Sequence, residues 1–167
     1  MGIFKSKKGS IMSDYFRPLH AIGPIAENKN ELVEVALYED HLELKATIAK
    51  HEPISLRYEQ ITDVFYGVQS EIVEADRSVI GRAVAGGLLF GGVGAVVGGM
   101  SGVGKKKEKT VRTLLFIISY TSKDGEDSFL QFQDVRCWRG RKLADQLKEL
   151  CGIEDPAPET APAITEL

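Results

Sequence analysis

The chain has 167 residues, of which 43% are hydrophobic, and a formal net charge of −3. This length and composition favour a single domain with appendages, and the near-balanced charge excludes a general nucleic-acid binder. Two cysteines, Cys137 and Cys151, are too few for a disulfide framework or a cysteine metal cluster. The opening MGIFKSKKGS lacks the apolar core of a secretory signal, so we expect a cytosolic protein with reduced thiols.

Residues 1–30 are predicted to be a basic tail and an irregular lead-in. The first six residues match the acylation pattern M-G-x-x-x-[ST]. Three lysines lie at or just after this pattern: Lys5, Lys7 and Lys8. Three interpretations stay open: a lipid anchor with a polybasic patch, weak contact of the unmodified residues with an anionic bilayer, or a solvated tail. Pro18, Gly23 and Pro24 argue against a long regular element over residues 14–30.

From Glu31 onward, apolar and polar residues alternate with the period of two that is typical of strands with one buried face. The strands predicted from this alternation cover residues 33–38, 41–45, 54–58 and 61–75, and 129–132 returns as the last strand. Residues 112–121 are predicted as a strand because they form a continuous apolar run. Glu39–Asp40 and Lys123–Gly125 are expected to form tight turns. The fold class is therefore α+β and mainly antiparallel β, a small bent sheet or barrel whose open end is capped by a C-terminal helix.

The single C-terminal helix is predicted to begin at Asp134, as its N-cap, and to run to about Leu150. Its apolar side would consist of Val135, Trp138, Leu143, Leu147 and Leu150. Trp138 is expected to anchor the helix in the core. Gly152 should end the helix. Residues 152–167 are predicted to be a disordered acidic, proline-containing tail, because they hold too little apolar surface to fold.

The segment from Ala83 to Gly104 contains no charge and nine glycines. Small residues recur in it every fourth position, as they do where helices pack closely in lipid. The predicted helix-packing and membrane-insertion residues are Ala83, Gly87, Gly91, Gly94, Ala95, Gly98, Gly99 and Gly102, together with Leu88, Leu89 and Phe90. The alternative is a mobile loop, because each glycine costs a helix about 1 kcal/mol relative to alanine.

Basic residues stand on both sides of this uncharged segment. The predicted contacts to anionic lipid are Arg77, Arg82, Lys105, Lys106, Lys107 and Lys109, with Lys5, Lys7 and Lys8 of the tail. Each basic residue near an anionic surface contributes about 1 kcal/mol of attraction. The other interpretation is that these residues only keep an apolar loop soluble.

No catalytic motif accompanies the three histidines, His20, His41 and His51. Gly92–Gly94 superficially matches part of a dinucleotide loop, but an antiparallel sheet is the wrong setting for one. We therefore expect a non-catalytic protein with no cofactor and no metal.

Four segments of the chain carry a resemblance to a known family. They are LYEDHLELK at 37–45, ISLRYEQITDV at 54–64, SVIGRAVAGGLLFGGVGAVVGGMSGVGKKK at 78–107 and FLQFQDV at 129–135. In them the chain resembles bacterial pleckstrin-homology-like (PH-like), or GRAM-like, domain proteins with a glycine-zipper insert. The resemblance implies a PH-like domain over 31–151, interrupted by the insert at 81–109, and a binding or adaptor role near membranes. The phosphoinositide-binding hairpin of eukaryotic members is basic, whereas Tyr38–His41, the first hairpin of the predicted order, is acidic. That specificity is not expected here.

The strands on either side of the insert decide how it can meet a membrane. A helix of twenty-two residues would rise about 33 Å, enough to cross a hydrocarbon core of about 30 Å. If the strands at 61–75 and 112–121 share a sheet, however, a single crossing is excluded, because it would separate them. The insert would then be a helical hairpin turning near Gly91–Gly92 and dipping into one leaflet, or a surface that packs against other copies of the chain.

The expected function is that of a membrane-associated binding or adaptor module at the inner face of the membrane, attached through the insert and the basic residues. The alternative is a self-assembling or membrane-permeabilising oligomer that uses the glycine face for helix packing. The expected location is cytoplasmic, peripheral or monotopic. The expected partners are anionic lipid, further copies of the chain or another protein, and not nucleic acid.

Overall fold

A computed structural model describes residues 9–20, 22–23, 25, 31–68 and 113–155. The elements in this part of the chain are β1 (Met12–Pro18), β2 (Val33–Leu37), β3 (His41–Ala46), β4 (Ile54–Arg57), a 3-10 turn (Tyr58–Gln60), β5 (Ile61–Val68), β6 (Leu114–Thr121), β7 (Asp127–Gln133) and α1 (Gly140–Cys151). The strands form one sheet in the order β4-β3-β2-β1-β7-β6-β5, and every neighbouring pair is antiparallel.

Strand β1 joins the two halves of the sheet. Its residues Met12–Phe16 pair with β2, whereas Arg17 and Pro18 pair with β7. The expectation of no long regular element over residues 14–30 was wrong for this strand. Pro18 is its last residue, a position where a missing N–H costs the ladder little.

The core is built around three phenylalanines from β1, β6 and β7. The ring centroid of Phe16 lies 4.9 Å from that of Phe116 and 6.0 Å from that of Phe132. All three side chains are fully buried. The strand that the sequence did not predict therefore contributes one of three mutually packed core rings and pairs with both halves of the sheet.

The predicted alternation of buried and exposed residues is confirmed in β3 and β4. It does not hold in β6 and β7, which bury three or more consecutive residues, or in β5, where every third residue is buried. Both predicted turns are present. The backbone N–H of Tyr38 donates to the carbonyl of His41, which closes the turn between β2 and β3. Between β6 and β7, Gly125 adopts a φ of 83°, a left-handed conformation that glycine accepts without strain. The last part of the strand predicted at 61–75 lies outside the described residues, since β5 is described to Val68.

Helix α1 begins at Gly140 and not at Asp134. The prediction of Asp134 as the N-cap was wrong, because the N-cap residue is Arg139. The carboxylate of Asp134 instead closes a turn that precedes the helix, by accepting the N–H groups of Arg136 and Cys137. Leu143 and Leu147 are buried as predicted. Gly152 ends the helix with a φ of 67°, also as predicted.

Two residues assigned to the apolar side of the helix are on the surface instead. Val135 is 37% exposed and Trp138 is 67% exposed. The prediction that Trp138 anchors the core was wrong, because the chain from Val135 to Arg139 is not helical and does not follow the buried face of α1.

No helix within the described part of the chain is both long enough and apolar enough to cross a bilayer.

Candidate functional site

Residues 69–113, which contain the insert, are joined to the sheet at two neighbouring positions. Val68, the last residue of β5, is paired with Leu114, the first residue of β6. The chain therefore leaves and re-enters the sheet at one edge. This is the condition under which a single membrane crossing by the intervening residues is excluded, because it would separate two paired strands.

The residues predicted to pack helices or contact lipid lie outside the described residues. This holds for Lys5, Lys7 and Lys8, for Arg77 and Arg82, for the whole stretch Ala83–Gly104, and for Lys105, Lys106, Lys107 and Lys109. What the structure describes is the base of the segment, formed by the ends of β5 and β6 and by the connection from β7 to α1. We call the connection, residues 134–139, the β7–α1 loop.

Asp134 ties the β7–α1 loop to this base. Its backbone N–H donates to the carbonyl of Leu114 at 2.9 Å. Its carboxylate is buried, with the residue only 3% exposed. Oδ2 accepts the hydroxyl of Tyr66 at 2.7 Å, and Oδ1 accepts the backbone N–H groups of Arg136 (3.0 Å) and Cys137 (2.8 Å). One carboxylate thus holds the loop, β5 and β6 together.

The surroundings of Tyr66 favour its protonated form and so preserve its hydrogen bond to Asp134. Burial, followed by the hydrogen bond to Asp134, raises the pKa of Tyr66 well above its ordinary value. The phenol therefore stays protonated and donates. Gly140 lies directly beside the pair, and a Cβ added there would stand 2.7 Å from Cε2 of Tyr66 and even closer to Oδ2 of Asp134. Only glycine fits here without moving the hydrogen-bonded pair.

The outer surface of the β7–α1 loop is aromatic and basic. The guanidinium carbon of Arg139 lies 4.7 Å from the ring centroid of Trp138, and that of Arg136 lies 5.6 Å from the ring centroid of Tyr15. Beside the loop runs a groove of about 130 Å³, lined by Ile11, Met12, Ser13, Asp14, Tyr15, Arg136, Trp138 and Arg139.

Sequence reasoning missed this surface, although a signal was present. Residues 136–141 read Arg-Cys-Trp-Arg-Gly-Arg, which places three arginines around the only tryptophan of the chain. Because Trp138 was expected to anchor the helix in the core, it was not among the predicted contact residues. A helix start six residues later would have left it on the surface.

A second groove, of about 240 Å³, lies at the other end of β6. Its lining includes Ile22 and Gly23 from the connection after β1, Ile54 from β4, and Tyr120 and Lys123 from the region of the β6–β7 turn. The side chains are mainly apolar. The groove is separate from the base of the glycine-containing segment.

The Tyr38–His41 hairpin is the second hairpin of the sheet and not, as was predicted, the first. It joins β2 to β3, and the connection between β1 and β2 is residues 19–32. The acidic residues from which we expected no phosphoinositide specificity therefore belong to the second hairpin. In that hairpin, a hydrogen bond from His41 lowers the pKa of Asp40, with the two side chains 2.6 Å apart.

Among the described residues, no group of three His, Cys, Asp or Glu side chains lies close enough together to hold a metal ion. The β7–α1 loop offers hydrogen-bonding groups and charged side chains at its surface, which are suited to binding.

The sheet and helix define the class of protein. Seven antiparallel strands, with the first strand shared between both halves and one C-terminal helix packed against β5 and β1, are consistent with a PH-like fold.

The family match agrees. The family described as "Glycine zipper containing PH domain" matches residues 24–133, more than half of the chain, and the chain belongs to this family. Comparison with curated proteins and with solved structures gives no significant match. PH domains generally bind lipids or membrane surfaces, which is the general role that membership implies.

Proposed function

We propose that the chain is a non-catalytic binding or adaptor module that attaches to the inner face of the membrane through its glycine-zipper insert and neighbouring basic residues. The proposal retains the bacterial, GRAM-like character of the resemblance, so the surface is the cytoplasmic side of a bacterial membrane. Anionic lipid is its first partner.

The observation that carries the proposal is the pairing of Val68 with Leu114. It joins residues 69–113, which contain the uncharged, glycine-rich stretch 83–104, to a PH-like sheet at two neighbouring positions. Residues that leave and return at neighbouring positions can enter a single leaflet as a helical hairpin, in which the backbone groups of the helix interiors are hydrogen-bonded within the helices. The basic residues at both ends of the insert would then lie where lipid phosphates are.

Flotation tests the proposal on the full-length chain. Vesicles of phosphatidylcholine with and without phosphatidylglycerol are compared for the wild type and for a variant whose residues 83–104 are replaced by a short Gly-Ser linker. The wild type should float with the anionic vesicles and the variant should remain at the bottom. Equal flotation of the two proteins would refute attachment through the insert.

A charge variant separates the basic residues from the apolar segment. Replacing Lys105, Lys106, Lys107 and Lys109 by glutamine removes about 4 kcal/mol of attraction to an anionic surface, at about 1 kcal/mol per lysine. Flotation should weaken and depend less on phosphatidylglycerol, because the other basic residues remain. Flotation that is unchanged in this variant would count against a contact between these lysines and lipid.

The alternative is an oligomer held together, or made membrane-permeabilising, by the glycine face of the insert. The small-xxx-small spacing favours it, because such faces let helices approach closely. Changing Gly87, Gly91 and Gly99 to leucine distinguishes the two functions. Attachment to a leaflet should survive this change, which adds apolar surface, whereas assembly should be lost. A wild type that sediments as a monomer in both buffer and detergent would refute the alternative.

A further inference from the structure

The β7–α1 loop presents a large aromatic side chain to solvent. Trp138 is 67% exposed, and Val135 on the same loop is 37% exposed. Tryptophan is enriched at membrane–water interfaces, where its ring is buried among lipid while its N–H stays hydrated. A tryptophan that packs in no core of the described domain is therefore a candidate for such a contact.

The outward position of Trp138 is fixed by the backbone around it. The carboxylate of Asp134 holds the N–H groups of Arg136 and Cys137, and Oδ2 of Asp14 accepts the N–H of Arg139 at 3.2 Å. These bonds secure the chain on both sides of Trp138. The side chain is thus presented on a fixed loop, which lowers the entropy lost when it binds.

The charge around Trp138 is positive on the outside. Four exposed basic residues lie within Val135–Lys142: Arg136, Arg139, Arg141 and Lys142. The carboxylates of Asp14 and Asp134 are buried and accept backbone N–H groups of the loop. An anionic surface approaching the loop therefore meets the guanidinium groups first.

The loop also lies at the edge from which the insert emerges. The backbone of Asp134 is bonded to that of Leu114, and its side chain is bonded to Tyr66, two residues before the end of β5. Ile11, which is 47% exposed, shares the groove beside Trp138. The loop and the positions at which the chain leaves and re-enters the sheet are therefore neighbours.

We propose that the β7–α1 loop, together with the first turn of α1, is a second membrane contact, in which Trp138 enters the interfacial region of an anionic bilayer and Arg139 of the loop and Arg141 of the helix bind lipid phosphates. The inference rests on the proposed membrane association but assigns a separate surface to it. Trp138 supplies the apolar contact and the arginines supply the preference for anionic lipid.

Trp138 is the only tryptophan in the chain, so its fluorescence reports on this contact directly. The full-length wild type is titrated with vesicles of phosphatidylcholine and phosphatidylglycerol, and then with the same vesicles carrying brominated acyl chains. We expect a blue shift of the emission and quenching by the brominated lipid. An emission that is unaffected by vesicles to which the protein has bound would overturn the proposal.

Substitutions measure the contributions by flotation. Trp138→Ala should weaken partitioning about tenfold, as loss of one buried aromatic side chain implies. Arg139→Gln with Arg141→Gln should weaken it about 25-fold, at about fivefold per charge. The matched control is Lys123→Gln, which removes an exposed charge at the opposite end of β6, about 25 Å away and beyond the screening length. Circular dichroism checks that each variant is folded.

The insert variant distinguishes this inference from the proposed function. If loss of residues 83–104 abolishes flotation and Trp138→Ala has no effect, the loop contact is refuted while attachment through the insert stands. If Trp138→Ala weakens flotation and loss of the insert does not, the loop contact is supported and attachment through the insert is refuted. If the Trp138 emission shifts only with protein concentration and not with vesicles, the loop is a protein–protein surface and the proposal is overturned.

Discussion

Replacing Gly140 by alanine should disrupt the hydrogen-bonded pair that shapes the β7–α1 loop. The new Cβ would overlap Oδ2 of Asp134 and approach Cε2 of Tyr66 to 2.7 Å, a separation that real Cβ atoms do not adopt. The carboxylate cannot simply turn away, because its other oxygen holds the backbone N–H groups of Arg136 and Cys137. Either the hydrogen bond from Tyr66 or the first turn of α1 has to move.

The expected cost follows from three contributions. A lost hydrogen bond that leaves a buried carboxylate oxygen without its donor costs about 1–2 kcal/mol. Overpacking in a rigid site costs about 1–3 kcal/mol. Alanine returns up to about 1 kcal/mol through its higher helix propensity. The free energy of unfolding should therefore fall by about 2 kcal/mol, which for a chain of this length lowers the melting temperature by about 4–8 °C.

Thermal unfolding of the wild type, Gly140→Ala, Tyr66→Phe and the double variant measures this cost. Because the two substitutions act on the same hydrogen bond, Gly140→Ala should cost less in the Tyr66→Phe background than in the wild type. A melting temperature of Gly140→Ala within about 1 °C of the wild type would refute the reasoning. Strictly additive effects would show that the clash does not act through the Tyr66 hydrogen bond.

Three further predictions concern the rest of the domain. Burial raises the pKa of Asp63, so wild-type stability should fall as the pH rises from the unfolded-state value through the raised folded one. Asp63→Asn keeps an oxygen for the N–H of Val64. This variant should unfold at a higher temperature than the wild type at about pH 7 but not at about pH 3. An unfolding temperature that is not raised at about pH 7 would contradict this prediction. Glu31 is buried and accepts two backbone N–H groups. In urea unfolding, Glu31→Ala should lower the free energy of unfolding by about 2 kcal/mol and Glu31→Gln by clearly less. Equal losses in the two variants would argue against these hydrogen bonds. Burial raises the pKa of Cys151 to about 11, whereas Cys137 is exposed, so iodoacetamide at about pH 8 should modify Cys137 first by peptide mass spectrometry, and equal rates would contradict the described burial.

The sequence predicted most of the strands because alternation, as in β3 and β4, and a continuous apolar run, as in β6, are both typical of strands that bury side chains. It also predicted both turns and the glycine that ends the helix, since Gly125 and Gly152 adopt conformations that only glycine accepts readily. The pairing of β5 with β6 was required by the argument about the insert, and the register of Val68 with Leu114 meets that requirement. Local patterns were sufficient for the strands, the turns and the helix end, whereas the pairing of β5 with β6 was a condition of the argument and not a consequence of local pattern.

The features that sequence reasoning missed depend on contacts between distant residues. Asp134 has the sequence of an N-cap, but Tyr66, far away in the chain, and two nearby N–H groups fix it in a turn before the helix. The displaced helix start is what moves Trp138 to the surface. Strand β1 was missed because Pro18 indicates irregular structure unless its place at the end of a strand is known.

The central claim is that this PH-like domain is held on a membrane by the edge from which its insert emerges. The most direct measurement is fractionation of the tagged, full-length protein in its host, followed by a carbonate wash of the membranes. The wild type should remain in the washed pellet, and a variant without residues 83–104 should appear in the supernatant. Wild-type protein found in the supernatant before the wash would contradict the account.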